Sequence, residues 1–158
     1  DAPPAHLTAA ICNWNVYYHT AIAAAMTCGG AENFVNAMGG PAYYGGLAEG
    51  FVDVSPLNEA TVAPGTAEAI EAVRELIVSG EWDVFSGTKL HITVNDDGTV
   101  TVDQEDAALL CAGYEYDTTS GTLVERDPVI VAAGGESVED SVITGSMNYF
   151  VAGVEDAN

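Results

Sequence analysis

"TAEAIEAVRELIVSGEWDVFSGTKLHITVNDDGTVTV", residues 66–102, holds two periodicities that meet at a glycine turn. From 66 to 80 the apolar residues Ile70, Val73, Leu76 and Ile77 recur at helical spacing and fall on one face. Thr66 is placed to cap the start, Glu68 lies in the electropositive first turn, and Gly80 ends the run. From 90 to 102 apolar and polar residues alternate on both sides of Asp96-Asp97-Gly98, the pattern of a β-hairpin. Between the two, Trp82 and Phe85 precede the turn at Ser86-Gly87. Aromatic rings beside a helix stop are usually core, so this pair is expected to seal the helix end against a sheet rather than to stack on a ligand.

The rest of the chain extends this pattern. Residues 5–14, "AHLTAAICNW", follow a proline pair and read as a buried strand. Residues 15–28 read as a helix stopped by Gly29-Gly30, and 29–41 hold one helical turn between glycines. A glycine-rich turn from 43 leads to a short strand at 51–54. Residues 103–128 look like a less regular insertion with its own strand around 121–125, and 29–40 is a second candidate insertion. An apolar run at 128–134 precedes a short helix ending at Gly145 and a last apolar strand. Strands and helices alternating before a hairpin imply an α/β protein with some antiparallel character.

The charge narrows the partners. Twenty-four acids face three bases, Arg74, Lys89 and Arg126, for a net charge of −21 over 158 residues. Nucleic acid and anionic membrane are repelled by such a surface. The acids are spread over segments that otherwise look folded, which indicates a solvated acidic surface rather than a disordered tail. High salt, which screens self-repulsion, suits it. No apolar run reaches the length of a membrane span. The start at Asp1, without a signal-peptide pattern, leaves two expectations: a removed leader, or a piece of a longer chain.

Catalytic patterns are not found. Cys12, Cys28 and Cys111 lack CxxC spacing, so zinc is not expected; one disulfide plus a buried thiol and three buried thiols both remain open. An EF-hand aligned on Gly98 would start at Thr93 and end at Gln104, neither of which is the carboxylate required. His6, His19 and His91 are scattered, and there is no G-x-S-x-G elbow or Gly-rich phosphate loop. The expectation is a protein without catalysis, cofactor or metal.

Five stretches carry a resemblance: "APPAHLTAAICNWNVYY", "YYGGLAEGFVDVSPLN", "APGTAEAIEAVRELIVSGEWDVFSGTK", "NDDGTVTV" and "ITGSMNYFVAGVE", in that order. Together they resemble the C-terminal part of the basic membrane protein family, the solute-binding proteins of ABC importers, many of them purine-nucleoside receptors. The resemblance implies part of a type I periplasmic-binding fold, either as a single domain spanning 1–158 or as the C-terminal portion of a two-lobed protein. It implies an extracytoplasmic location: periplasmic, cell-surface or secreted. The implied partners are a small polar solute such as a nucleoside, an ABC permease, and the N-terminal part of the same protein or further copies of this chain. The alternative function is that of a structural or assembly protein reusing the fold as an extracellular building block. The stretch "NWNVYY" offers the ligand candidates Asn13, Trp14, Asn15 and Tyr17, with Tyr18 beside them, because a solute cleft needs aromatic faces and amides. The competing reading makes Trp14 and the tyrosines core and Asn15 the N-cap of the next helix. Where nucleoside-binding members carry a Lys, this chain has Cys12. The runs 7–12, 128–133 and 148–152 are nearly free of charge and are expected to recruit partners as bare strand edges.

Overall fold

The structure is a computed structural model, and it describes residues 6–145 and 147–153. The chain is mixed α and β, and its contacts divide it into two compact units, 1–79 and 80–158. The proline pair before the first strand and residues 146, 154 and 155 of the last motif lie outside the described residues.

The first unit is built on a short antiparallel pair, β1 (Ala10–Cys12) and β2 (Val52–Val54), with Ala10 opposite Val54 and Cys12 opposite Val52. Side chains lengthen the seam. Thr8 Oγ1 donates to the Ser55 carbonyl at 2.7 Å and Asn58 Nδ2 to the His6 carbonyl at 3.0 Å, while the backbone N–H groups of Ser55 and Asn58 donate to the carbonyls of Ala9 and Leu7. The run expected as a buried strand is shorter and exposed, because its only described strand neighbour is the three-residue β2. Helix α1 (Trp14–Thr27) begins one residue earlier than the spacing implied, so Asn13 occupies the N-cap position and Asn15 lies inside the helix. Asn13 makes no side-chain capping bond. Alanine-rich sequence suits a helix, and Thr20 and Thr27 turn their hydroxyls back onto the carbonyls of Val16 and Ala23.

A 3-10 turn (Ala31–Asn33) and the one-turn helix α2 (Phe34–Ala37) fill the glycine-bracketed stretch. Helix α3 (Thr66–Ser79) matches the amphipathic pattern: Ile70, Val73, Leu76 and Ile77 are half-buried along one side. Its start differs from expectation. The Thr66 hydroxyl donates backwards to the Ala63 carbonyl, so it does not cap the helix. Gly80, at φ +74°, makes the left-handed stop that was expected.

Arg74 of α3 is hydrogen-bonded to Asp53 of β2 and lies 3.3 Å from the Glu71 carboxylate. The guanidinium first, and the Val54 N–H second, hold the Asp53 carboxyl below its ordinary range. A depressed folded-state pKa stabilises above the unfolded value of about 3.9, and that contribution is lost as the pH falls through the folded value. A carboxyl NMR titration is therefore expected to give Asp53 a lower midpoint in the native chain than in Arg74→Gln. Coincident midpoints would show that the pair has no thermodynamic weight.

The second unit opens with the hairpin. β3 (Thr88–Val94) pairs with β4 (Val100–Asp106) in unbroken register from Thr88↔Asp106 to Val94↔Val100, longer at both ends than the alternation predicted. The turn is at the expected place: Gly98 has φ +83°, and Asp97 Oδ1 accepts from the Thr99 N–H and hydroxyl. Trp82 Nε1 donates to the Thr88 carbonyl at 2.9 Å, and the Phe85 carbonyl accepts from the Val138 N–H. Both residues are half-buried within this unit.

Residues 103–128 are the largest correction. The stretch expected to be irregular carries β5 (Leu109–Asp117), the longest strand, on which the sheet is organised. β6 (Thr122–Glu125) pairs with its C-terminal half, β7 (Val129–Val131) with Leu109 and Leu110, and β8 (Tyr149–Val151) with Cys111 and Glu115. Helix α4 (Asp140–Gly145) precedes β8, as the sequence implied. Every described strand pair is antiparallel, so that character extends well beyond the hairpin.

Little is buried. Among the described residues only Ala24, Gly87 and Cys111 are. Neither cysteine expectation holds: all three thiols are free, and only Cys111 is buried, with Cys12 exposed and Cys28 half-buried. Gly87 is the crossing point of the second unit. Its N–H donates to Gly135, and its carbonyl accepts from Ala107 and Gly134.

Candidate functional site

The N-terminus of α1 places Trp14 and Tyr17 in a closed ring of four aromatic side chains within the first unit. Trp14 meets Tyr17 at 6.0 Å and Phe51 at 5.7 Å between centroids. Tyr43 closes the ring, 5.4 Å from Tyr17 and 5.1 Å from Phe51. All four contacts are edge-to-face, the arrangement that ring quadrupoles favour, worth about 0.5–1.5 kcal/mol per pair beyond burial. Tyr18 joins from outside, 5.5 Å from Tyr17.

Local backbone makes this closure possible. The Asn13 N–H donates to the Phe51 carbonyl at 2.6 Å, which anchors the start of α1 beside the start of β2. A Cβ at Gly45 would meet Phe51 Cβ at 2.8 Å and Tyr43 Cε1 at 3.1 Å, so only glycine lets these two rings approach each other. Glu49 accepts from the Gly46 N–H and fixes the same turn.

The ring has a packed side and an open side. Tyr17, Tyr43 and Phe51 are half-buried, whereas Trp14 is 56 % exposed. The cluster is the first unit's main aromatic packing, and its Trp14 rim faces outward. Of the four candidate residues, Trp14 and Tyr17 are brought together. Asn13 lies at the helix start with its side chain exposed. Asn15 lines a separate open hollow of about 340 Å³ with Val16, His19 and Thr20. Sequence reasoning missed Tyr43 and Phe51 as members of the cluster. The signal available was their place in the "YYGGLAEGFVDV" stretch, flanking the glycine that the ring requires.

A second feature lies on α1. Trp14, Tyr18, Ile22 and Met26 recur at four-residue spacing and are 56, 58, 61 and 81 % exposed. The helix contains no Asp, Glu, Lys or Arg. Among the described residues no group of His, Cys, Asp and Glu is placed to hold a metal ion, and no helix is long and apolar enough to cross a membrane.

Comparison with protein-family models, with curated proteins and with solved structures gives no match.

Proposed function

We propose that the chain is the C-terminal portion of an extracytoplasmic solute-binding protein serving an ABC importer, and that the aromatic ring around Trp14 forms one wall of its cleft. The observation that carries this reading is the ring itself: four aromatics locked edge-to-face, with the Trp14 face open and the amide of Asn13 at the same helix start. A pre-formed aromatic surface with a few amides suits a small polar solute carrying a flat, weakly polar face, such as a nucleoside. In this reading the fold is part of a type I periplasmic-binding fold. The parallel neighbours that such a fold needs would come from a preceding N-terminal part.

A thermal-shift screen against nucleosides and sugars tests the proposal. The expected result is a saturable rise in midpoint for at least one nucleoside. Trp14→Ala should weaken that binding by about 1–3 kcal/mol, the usual cost of losing one base–aromatic stack. Binding that survives Trp14→Ala unchanged would contradict the assigned wall.

The α1 stripe favours a second reading, that of an assembly protein. An apolar face on a helix without Asp, Glu, Lys or Arg is a surface on which copies carrying −21 can approach each other with little repulsion. Sedimentation at low and high salt distinguishes the two: salt-promoted self-association that is lost in Ile22→Glu supports assembly, whereas a monomer at every salt concentration opposes it.

A further inference from the structure

The second unit holds an open hollow of about 470 Å³ between β7, the loop that follows it, α4 and β8. Its wall combines the apolar side chains of Val131, Val138 and Val142 with three groups of different chemistry: Arg126, Glu136 and Tyr149. Arg126 is one of three bases in the whole chain. Its guanidinium lies over the Tyr149 ring at 4.4 Å, its Nη1 is 3.4 Å from Glu115, and its Nε donates to the Asp127 carbonyl at 3.2 Å. These contacts orient the guanidinium and leave Nη2 without a protein partner among the described residues. A stacked, oriented guanidinium is a carboxylate receptor.

Two charge arguments select the ligand. A simple anion entering this hollow meets the Glu136 carboxylate and the field of a −21 chain, both unfavourable. A simple cation meets Arg126, whose charge Glu115 offsets only in part, and finds no partner for the guanidinium's remaining N–H donors. A ligand carrying both signs satisfies both walls and, being net neutral, is not repelled by the protein as a whole. The valines ask for an aliphatic body.

We propose that this hollow binds an aliphatic α-amino acid, its carboxylate on Arg126, its ammonium on Glu136 and its side chain against Val131, Val138 and Val142. The site is independent of the aromatic ring in the first unit.

The test compares three probes with one aliphatic body: L-leucine, 4-methylpentanoate and 3-methylbutylamine. The readout is the NMR shift of the Tyr149 ring and the Asn148 side-chain amide in the whole chain. Leucine is expected to saturate in the millimolar range or below, with either single-charge analogue weaker by about tenfold or more, the scale of one lost charge-assisted hydrogen bond. Glu136 is exposed, so Glu136→Gln should fold; it should weaken leucine by about two- to fivefold, the scale of an exposed ion pair, and leave 4-methylpentanoate no weaker. Arg126→Gln should lose leucine and 4-methylpentanoate together. Trp14→Ala should change none of these values, so the two sites can fail separately. The proposal is overturned by an absence of saturable leucine shifts, by equal binding of leucine and 4-methylpentanoate, or by leucine binding that ignores Glu136→Gln.

Discussion

Gly87→Ala is expected to destabilise the second unit by about 3 kcal/mol or more, beyond the usual range for a single substitution. A Cβ at Gly87 would lie 2.0 Å from the Ala132 carbonyl oxygen and 2.7 Å from the Gly135 nitrogen. Both are backbone atoms, so no rotamer change relieves the overlap. Moving the loop away would break the bonds that Gly87 makes with Gly134 and Gly135 and loosen the Ala107 bond at the end of β4. Gly98→Ala provides the control. Its Cβ would meet nothing within 4 Å, and only the positive φ is strained, which costs about 1–2 kcal/mol. Urea unfolding followed by circular dichroism should rank Gly87→Ala far below Gly98→Ala. The reverse order would mean that the crossing at Gly87 is not a structural constraint.

Salt should stabilise the fold strongly. With 24 acids against three bases and few buried side chains, self-repulsion is the largest electrostatic effect and acts against a small burial term. The ion pairs that salt would weaken are few among the described residues, namely Arg74–Asp53, Arg74–Glu71 and Arg126–Glu115. Screening of repulsion therefore wins. The thermal midpoint is expected to rise by about 10 °C or more between roughly 0.05 M and 1 M sodium chloride, as the screening length contracts from beyond 10 Å to about 3 Å. A midpoint that stays flat or falls would mean that attractive pairs outweigh the acidic surface.

What could be read from the sequence follows the range of the interactions. Helix α3 and the β3–β4 hairpin were legible because their patterns are local: a 3.6-residue apolar face, a period of two, and a glycine at the turn. The sheet on β5 was not. Its strand runs through Gly113, at φ +81°, and through alternating Glu and Tyr, so no clean apolar face announces it, and its partners β7 and β8 are recruited across long loops. β1 was legible as a strand but not as an exposed one, because exposure depends on what pairs and packs beside it. At the site, Trp14 and Tyr17 stood out by composition. Tyr43 and Phe51 did not, since their closure on Trp14 depends on Gly45 and on the Asn13–Phe51 backbone bond.

The central claim is that the aromatic ring of the first unit captures a flat polar solute. Titration of the isotope-labelled chain with inosine, followed through its aromatic resonances, tests it most directly. The account predicts saturable shifts at Trp14, Tyr17, Tyr43 and Phe51, with those at Tyr17, Tyr43 and Phe51 moved to higher inosine concentration in Trp14→Ala by the same cost of about 1–3 kcal/mol, while Trp82 in the second unit stays unmoved. Shifts that never saturate, or that fall on Trp82 as strongly as on Trp14, would contradict it.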